Sequence, residues 1–152
     1  MPLNVVQSRL SNVQPAQLYQ QGVVGFRRLL GVLYGANMNI TTDNAIPMVL
    51  VPEIAAGTAR YIVRGVQVTN ASISLTTAAG GFYTAASKGG SAVVASTQAY
   101  SGLTATTKNL DCTLAAVAGT DIRTEGTLYL NLTTGQGAAA TADVYIWGEI
   151  LP

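Results

Sequence analysis

The stretch D-V-Y-I-W-G-E-I-L, residues 143–151, alternates without a break. Successive side chains of an extended chain point to opposite sides, so Val144, Ile146, Gly148 and Ile150 share one face and Asp143, Tyr145, Trp147 and Glu149 the other. The first face is apolar enough for a core. The second is the more polar one and still carries Tyr145 and Trp147, which predicts that it too is covered, by a neighbouring subunit. The same period of two recurs upstream. In residues 127–133, Leu128, Leu130 and Leu132 oppose Thr127, Tyr129, Asn131 and Thr133. In residues 60–71, strict alternation groups Tyr61, Val63, Gly65 and Gln67 against Ile62, Arg64, Val66 and Val68.

Working outward from these runs, short β-branched or aromatic segments separated by Gly, Ser and Asn predict about eight strands. They span 45–51, 60–71, 81–86, 92–96, a weak one at 103–106, 109–114, 127–133 and 143–151. Eight antiparallel strands in this length predict an all-β, jelly-roll-like β-sandwich over residues 39–152. Pro47 and Pro52 fit an edge strand or its ends, because proline cannot donate to a central ladder. Gly80-Gly81 and Gly89-Gly90 read as tight turns at positive φ. Residues 1–38 have no sustained period, and Gly22, Gly25, Gly31 and Gly35 would each weaken a helix by about 1 kcal/mol relative to Ala. They read as an extended or partly helical N-terminal arm whose apolar side chains need something to pack against.

Of the 152 residues 49% are hydrophobic and 10% charged, and the mean hydropathy is +0.33. Soluble domains ordinarily carry about 25% charged residues. Ala, Thr, Ser and Gly take the place of charge here, which predicts flat, nearly neutral faces suited to permanent contact with other subunits. The apolar run from Gly22 to Ala36 is too short to cross a bilayer and is interrupted by Arg27 and Arg28. The start of the chain lacks the pattern of a secretory signal. The net charge of +1 argues against direct nucleic-acid contact. The arm is nevertheless weakly cationic, since residues 1–42 hold Arg9, Arg27 and Arg28 with no acid.

Histidine is absent, so the usual Ser-His-Asp, Cys-His and zinc arrangements cannot be built. Asp121 and Glu125 could form a carboxylate pair for acid/base work, but D-I-R-T-E (121–125) reads as a solvated loop in which Arg123 pairs with a neighbouring acid. The single cysteine, Cys112, shares a strand face with Leu110 and Leu114 and reads as a small core residue. Gly135-Gln136-Gly137 with Ala140 mimics a dinucleotide fingerprint, but a strand follows where a helix is required. No enzyme activity, cofactor or metal is expected.

The segments V-T-N-A-S-I-S-L-T-T-A-A-G-G-F-Y-T-A-A-S-K-G-G (68–90) and L-T-T-G-Q-G-A-A-A-T-A-D-V-Y-I-W-G (132–148) resemble small structural proteins encoded in tailed-phage and prophage genomes. The resemblance implies a homotrimeric jelly-roll protein of the virion, similar to capsid decoration or cement proteins. Its partners would be its own copies and the major capsid protein or another virion protein. Its place would be the exterior of the phage head, after synthesis in the host cytoplasm. On this reading Phe26, Arg27, Arg28, Leu29, Leu30, Leu33 and Tyr34 contact the shell, while Tyr129, Tyr145 and Trp147 lie between subunits. The alternative is a receptor- or glycan-binding fibre head, which would use the loops 82–91 and 134–141 and Tyr83.

Overall fold

The computed structural model describes residues 27–55, 57 and 59–151. In chain order the elements are β1 (Arg28–Asn37), β2 (Asp43–Pro47), α1 (Pro52–Ala55), β3 (Arg60–Thr69), β4 (Ala79–Ala85), β5 (Gly89–Val94), β6 (Asn109–Asp111), β7 (Thr127–Thr134) and β8 (Thr141–Leu151). Two four-stranded antiparallel sheets result, with strand orders β1-β8-β3-β6 and β2-β7-β4-β5. The pairs β1·β8, β2·β7, β3·β6 and β4·β5 describe a chain folded in half at the β4–β5 turn. Rolling that doubled ribbon brings β8 against β3 and β7 against β4. The product is the eight-stranded jelly roll.

Two strand assignments differ from the sequence reading. β1 occupies Arg28–Asn37, inside the stretch 1–38 expected to be an arm, so the sandwich begins before residue 39. Its glycines exclude a helix without excluding a strand. Gly31 leaves no room for a Cβ against Met48 and Pro47, and Gly35 sits at φ +67° in a bulge. Residues 1–26, the rest of that stretch, lie outside the described residues. Conversely, 103–106 is no strand. The Thr104 hydroxyl accepts from the backbone N–H of Thr106 and Thr107 and holds the segment in a turn, as such side chains do when they compete with a ladder.

The alternating runs build the core. Leu128, Leu130 and Leu132 of β7 and Val144 and Ile146 of β8 are fully buried, with Ile46 of β2, Phe82 of β4 and Met48 just after β2. Each such side chain contributes roughly 1.5–3 kcal/mol by leaving water. Gly80 and Gly81 are not turn residues as expected; they lie within β4, where a Cβ would strike the backbone of β7 and the chain after β5. Pro47 does end an edge strand, β2.

At the β4–β5 turn, Ser87 (φ 56°) and Lys88 (φ 61°) are both left-handed, and Gly89 N donates to Ala86 O at 3.0 Å. This is a type I′ turn, normally built from Asn-Gly. Both oxygens of Asp43 accept from Ser87 N, at 3.0 and 2.8 Å, and Asp43 also accepts from Asn131 Nδ2 at 2.8 Å. Asp43 pairs in register with Asn131, which pairs with Gly81, six residues or roughly 20 Å of extended chain from Ser87. The hairpin therefore bends back over the outer face of its sheet, helped by register shifts between Phe82 and Ala85. That explains why Asn131 and Tyr83, on outward positions, are only 4% and 7% exposed.

Replacing Ser87-Lys88 by Asn-Gly should stabilise the protein by about 1 kcal/mol, because those residues take positive φ with less strain. Asp43→Ala should cost about 1–3 kcal/mol by stripping Asn131 and Ser87 of their acceptor. Urea unfolding followed by circular dichroism measures both.

Candidate functional site

The face of the β1-β8-β3-β6 sheet that points away from the core gathers most of the residues singled out in the sequence. Its composition is set by bulges. In β3 the register steps between Val63 and Gly65, so Tyr61, Val63, Val66 and Val68 face the core, while Gly65 and Gln67 turn outward with Ile62 and Arg64. The strict alternation expected from the sequence would have put Gly65 and Gln67 with Tyr61. In β1 the step between Leu29 and Gly31 sends Leu30 inward, and the step between Leu33 and Ala36 displays Tyr34.

Two cross-strand rows result. One runs Leu29, Trp147, Gly65 and the next runs Val32, Tyr145, Gln67, Asp111. Tyr34 is 72% exposed and meets Tyr145 edge to face, with ring centroids 6.2 Å apart and an interplanar angle of 84°. The bulge behind Tyr34 is tied to β8, because Gly35 N donates to Asp143 Oδ1 at 2.9 Å. Trp147 Nε1 donates to Gln67 Oε1 at 3.2 Å. Burial raises the Tyr145 phenol above its ordinary value, reinforced by Tyr34 and Asp143.

Beside Trp147 lies a cleft of about 420 Å³ lined by Arg27, Arg64, Gly65, Val66, Gln67, Asp111, Cys112, Leu114 and Trp147. Arg64 Nη2 donates to Glu149 Oε2 at 2.9 Å and its Nη1 to the Gly119 carbonyl. The hydrogen bond from Arg64, with Arg27 nearby, holds the Glu149 carboxyl below its ordinary value, and the same bond raises Arg64. Cys112, in the lining, is buried, and that burial pushes its thiol up to about 12. It is the small core residue its strand position implied.

Of the residues assigned to shell contact, Leu29 and Tyr34 reach this outer face and Arg27 lines the cleft. Leu30 is fully buried in the core and offers no contact surface, because of the Leu29–Gly31 bulge, whereas Leu33 packs against the core and is only half-buried. Arg28 opens β1 opposite Gly148, and Phe26 lies outside the described residues. Of the residues assigned between subunits, Tyr145 and Trp147 share this face. Tyr129 lies on the other sheet, between Ala45 and Tyr83.

Arg64, Gly65, Gln67 and Asp111 were not singled out from the sequence. The available sign was Gly65, an isolated glycine inside a strand pattern, which often marks a bulge or a close approach.

The segment 121–125 is not a solvated loop throughout. Arg123 is 3% exposed, its backbone bridges Tyr61 in both directions, and its guanidinium lies 3.3 Å from Asp121. The Glu125 carboxylate accepts from Thr124 N while its carbonyl accepts from the Tyr61 hydroxyl. Among the described residues no cluster of acids and Cys112 is arranged to hold a metal ion. A scan against protein-family models finds no match to this chain, and comparisons with curated proteins and with solved structures find none either.

A carboxyl whose folded value is depressed stabilises the fold above its unfolded value, and that contribution is lost as pH falls through the folded one. Glu149 is such a group, so thermal stability should hold from pH 7 to about 5 and decline below the ordinary value of 4.5. In Glu149→Gln that part of the decline should be absent; melting curves across the acid range would show it.

Proposed function

We propose that this chain is a structural assembly protein of the capsid-decoration kind, a homotrimer that sits on the exterior of a phage head and clamps neighbouring units of the shell. The observation that carries the reading is the aromatic row on the outer face of β1 and β8. Tyr34 is held out at 72% exposure beside Tyr145, on a face shared with Leu29, Val32 and Trp147. Aromatic side chains of this kind are the usual anchors of protein interfaces.

The rest of the surface supports the same reading. With 10% charged residues, the chain brings little desolvation penalty to a contact between copies. The edge strands touch across the seams of the roll: a bridge joins Val94 to Leu114, and Gly31 abuts Pro47 and Met48. A trimer held together by such faces and bearing three Arg-containing N-terminal segments would bind a shell through several modest contacts at once. Linked contacts of this sort gain on the order of 10²- to 10⁴-fold in avidity without any single strong site.

Native mass spectrometry and sedimentation at micromolar concentration should give a trimer, and Tyr34→Asp with Tyr145→Asp should give a monomer that keeps the wild-type far-UV spectrum. A wild-type chain that stays monomeric and leaves purified phage heads uncoated would sink the proposal.

A further inference from the structure

We propose that the cleft beside Trp147 binds a neutral saccharide unit, with the indole as the stacking face and Asp111, Gln67 and Arg27 as the groups that read hydroxyls. The inference goes beyond the assembly reading and does not rest on it.

The first observation is Gly65. Gly80, Gly81 and Gly148 are glycines because a Cβ there would strike backbone, and Gly35 and Gly90 because their φ is positive. Gly65 has neither reason: a Cβ would meet the Trp147 Cβ at 4.0 Å and nothing nearer. A glycine inside a strand weakens it, and what this one leaves is a bare floor on which a ligand can approach the backbone. The second observation is the posture of Trp147. Its Nε1 is tied to Gln67 Oε1 at 3.2 Å, which fixes the ring while it lines the cleft. Gln67, its oxygen engaged, keeps amide N–H donors, and Asp111 stands beside it in register as an acceptor.

The third observation is charge. Arg64 is paired with Glu149 at 2.9 Å, Arg27 also acts on Glu149, and Asp111 lies in the lining, so two cations are set against two acids. A phosphate or sulfate would want an excess of cations, which this balance does not provide. A pyranose suits it better, with an apolar C–H face for the indole and a rim of hydroxyls that donate and accept. The cleft, at about 420 Å³, is within the size range of ordinary small-molecule sites, roughly 300–1,000 Å³. The loops first considered for a glycan offer less, since Phe82 is fully buried and Tyr83 is covered by its own hairpin.

Trp147 is the sole tryptophan, so its emission reports the cleft directly. The full chain would be titrated through the millimolar range with D-glucose, D-galactose, N-acetyl-D-glucosamine and L-rhamnose, and in parallel with inorganic phosphate and D-glucuronate. The expected result is a saturable change with at least one neutral sugar, at a half-saturation on the order of millimolar, the level a dozen-atom ligand reaches at ordinary efficiency. Gly65→Val, whose side chain fills the floor, should melt like the wild type and weaken binding by roughly tenfold or more, and Asp111→Asn should also weaken it. Three results would overturn the proposal: no neutral sugar saturates, phosphate or glucuronate binds more tightly than every neutral sugar, or a folded Gly65→Val binds undiminished. If Gly65→Val does not fold, unchanged binding by Asp111→Asn overturns it instead. A monomer that binds sugar would sink the assembly reading alone, and a trimer that binds none would sink this one alone.

Discussion

The structure depends on β8 being held on both sides at once. Its inward residues Ala142, Val144, Ile146, Gly148 and Ile150 form a buried row, with β1 paired along one edge and β3 along the other. At Gly148 the space of a side chain is taken by Leu30 from β1 and the Ile62 carbonyl from β3. Both neighbours can therefore close over the strand there, and no other residue type would allow it. Because side chains alternate, a register slip of one residue would turn Tyr145 and Trp147 into the core and Val144 and Ile146 out of it. The burial of one row thus fixes the register of three strands, and with it the chemistry of the opposite face.

What that outer face displays is decided by bulges. Each places an extra residue in one strand and shifts the phase of everything beyond it. In β3 the step at Arg64–Gly65 moves Gly65 and Gln67 outward, and so makes a cleft where alternation alone would have put side chains into the core. In β1 one step buries Leu30 and another lifts Tyr34 away from the sheet. Apolar density in this chain is therefore split between a dry interior and an aromatic outer row.

Buried polarity follows the same economy. Part of the outer face of the β2-β7-β4-β5 sheet is covered by the chain's own hairpin, whose left-handed turn residue Ser87 is held in place by Asp43. Asn131 is enclosed there but keeps a charged acceptor at 2.8 Å. Arg123 is enclosed at the other end of the roll, with Asp121 at 3.3 Å. The face around Tyr34, Tyr145 and Trp147 has no comparable cover among the described residues, and both proposed uses of the protein are located on it.

Much of the fold was legible in the chain itself. The alternation of 127–133 and 143–151, the edge proline Pro47 and the small-residue composition determine an all-β sandwich with a core of leucines, valines and isoleucines, because a period of two leaves one face dry. The N-terminal strand was not legible, since Gly31 and Gly35 look like breaks until Pro47, Met48 and Asp143 are placed beside them. Nor was the cleft: a bulge is a property of two paired strands, and nothing local to R-G-V-Q states the phase in which β3 meets β8. The sequence by itself determined which residues are apolar and with what period. Only the tertiary structure decided which of them face outward together, because strand order and bulge position arise from pairing between segments far apart in the chain.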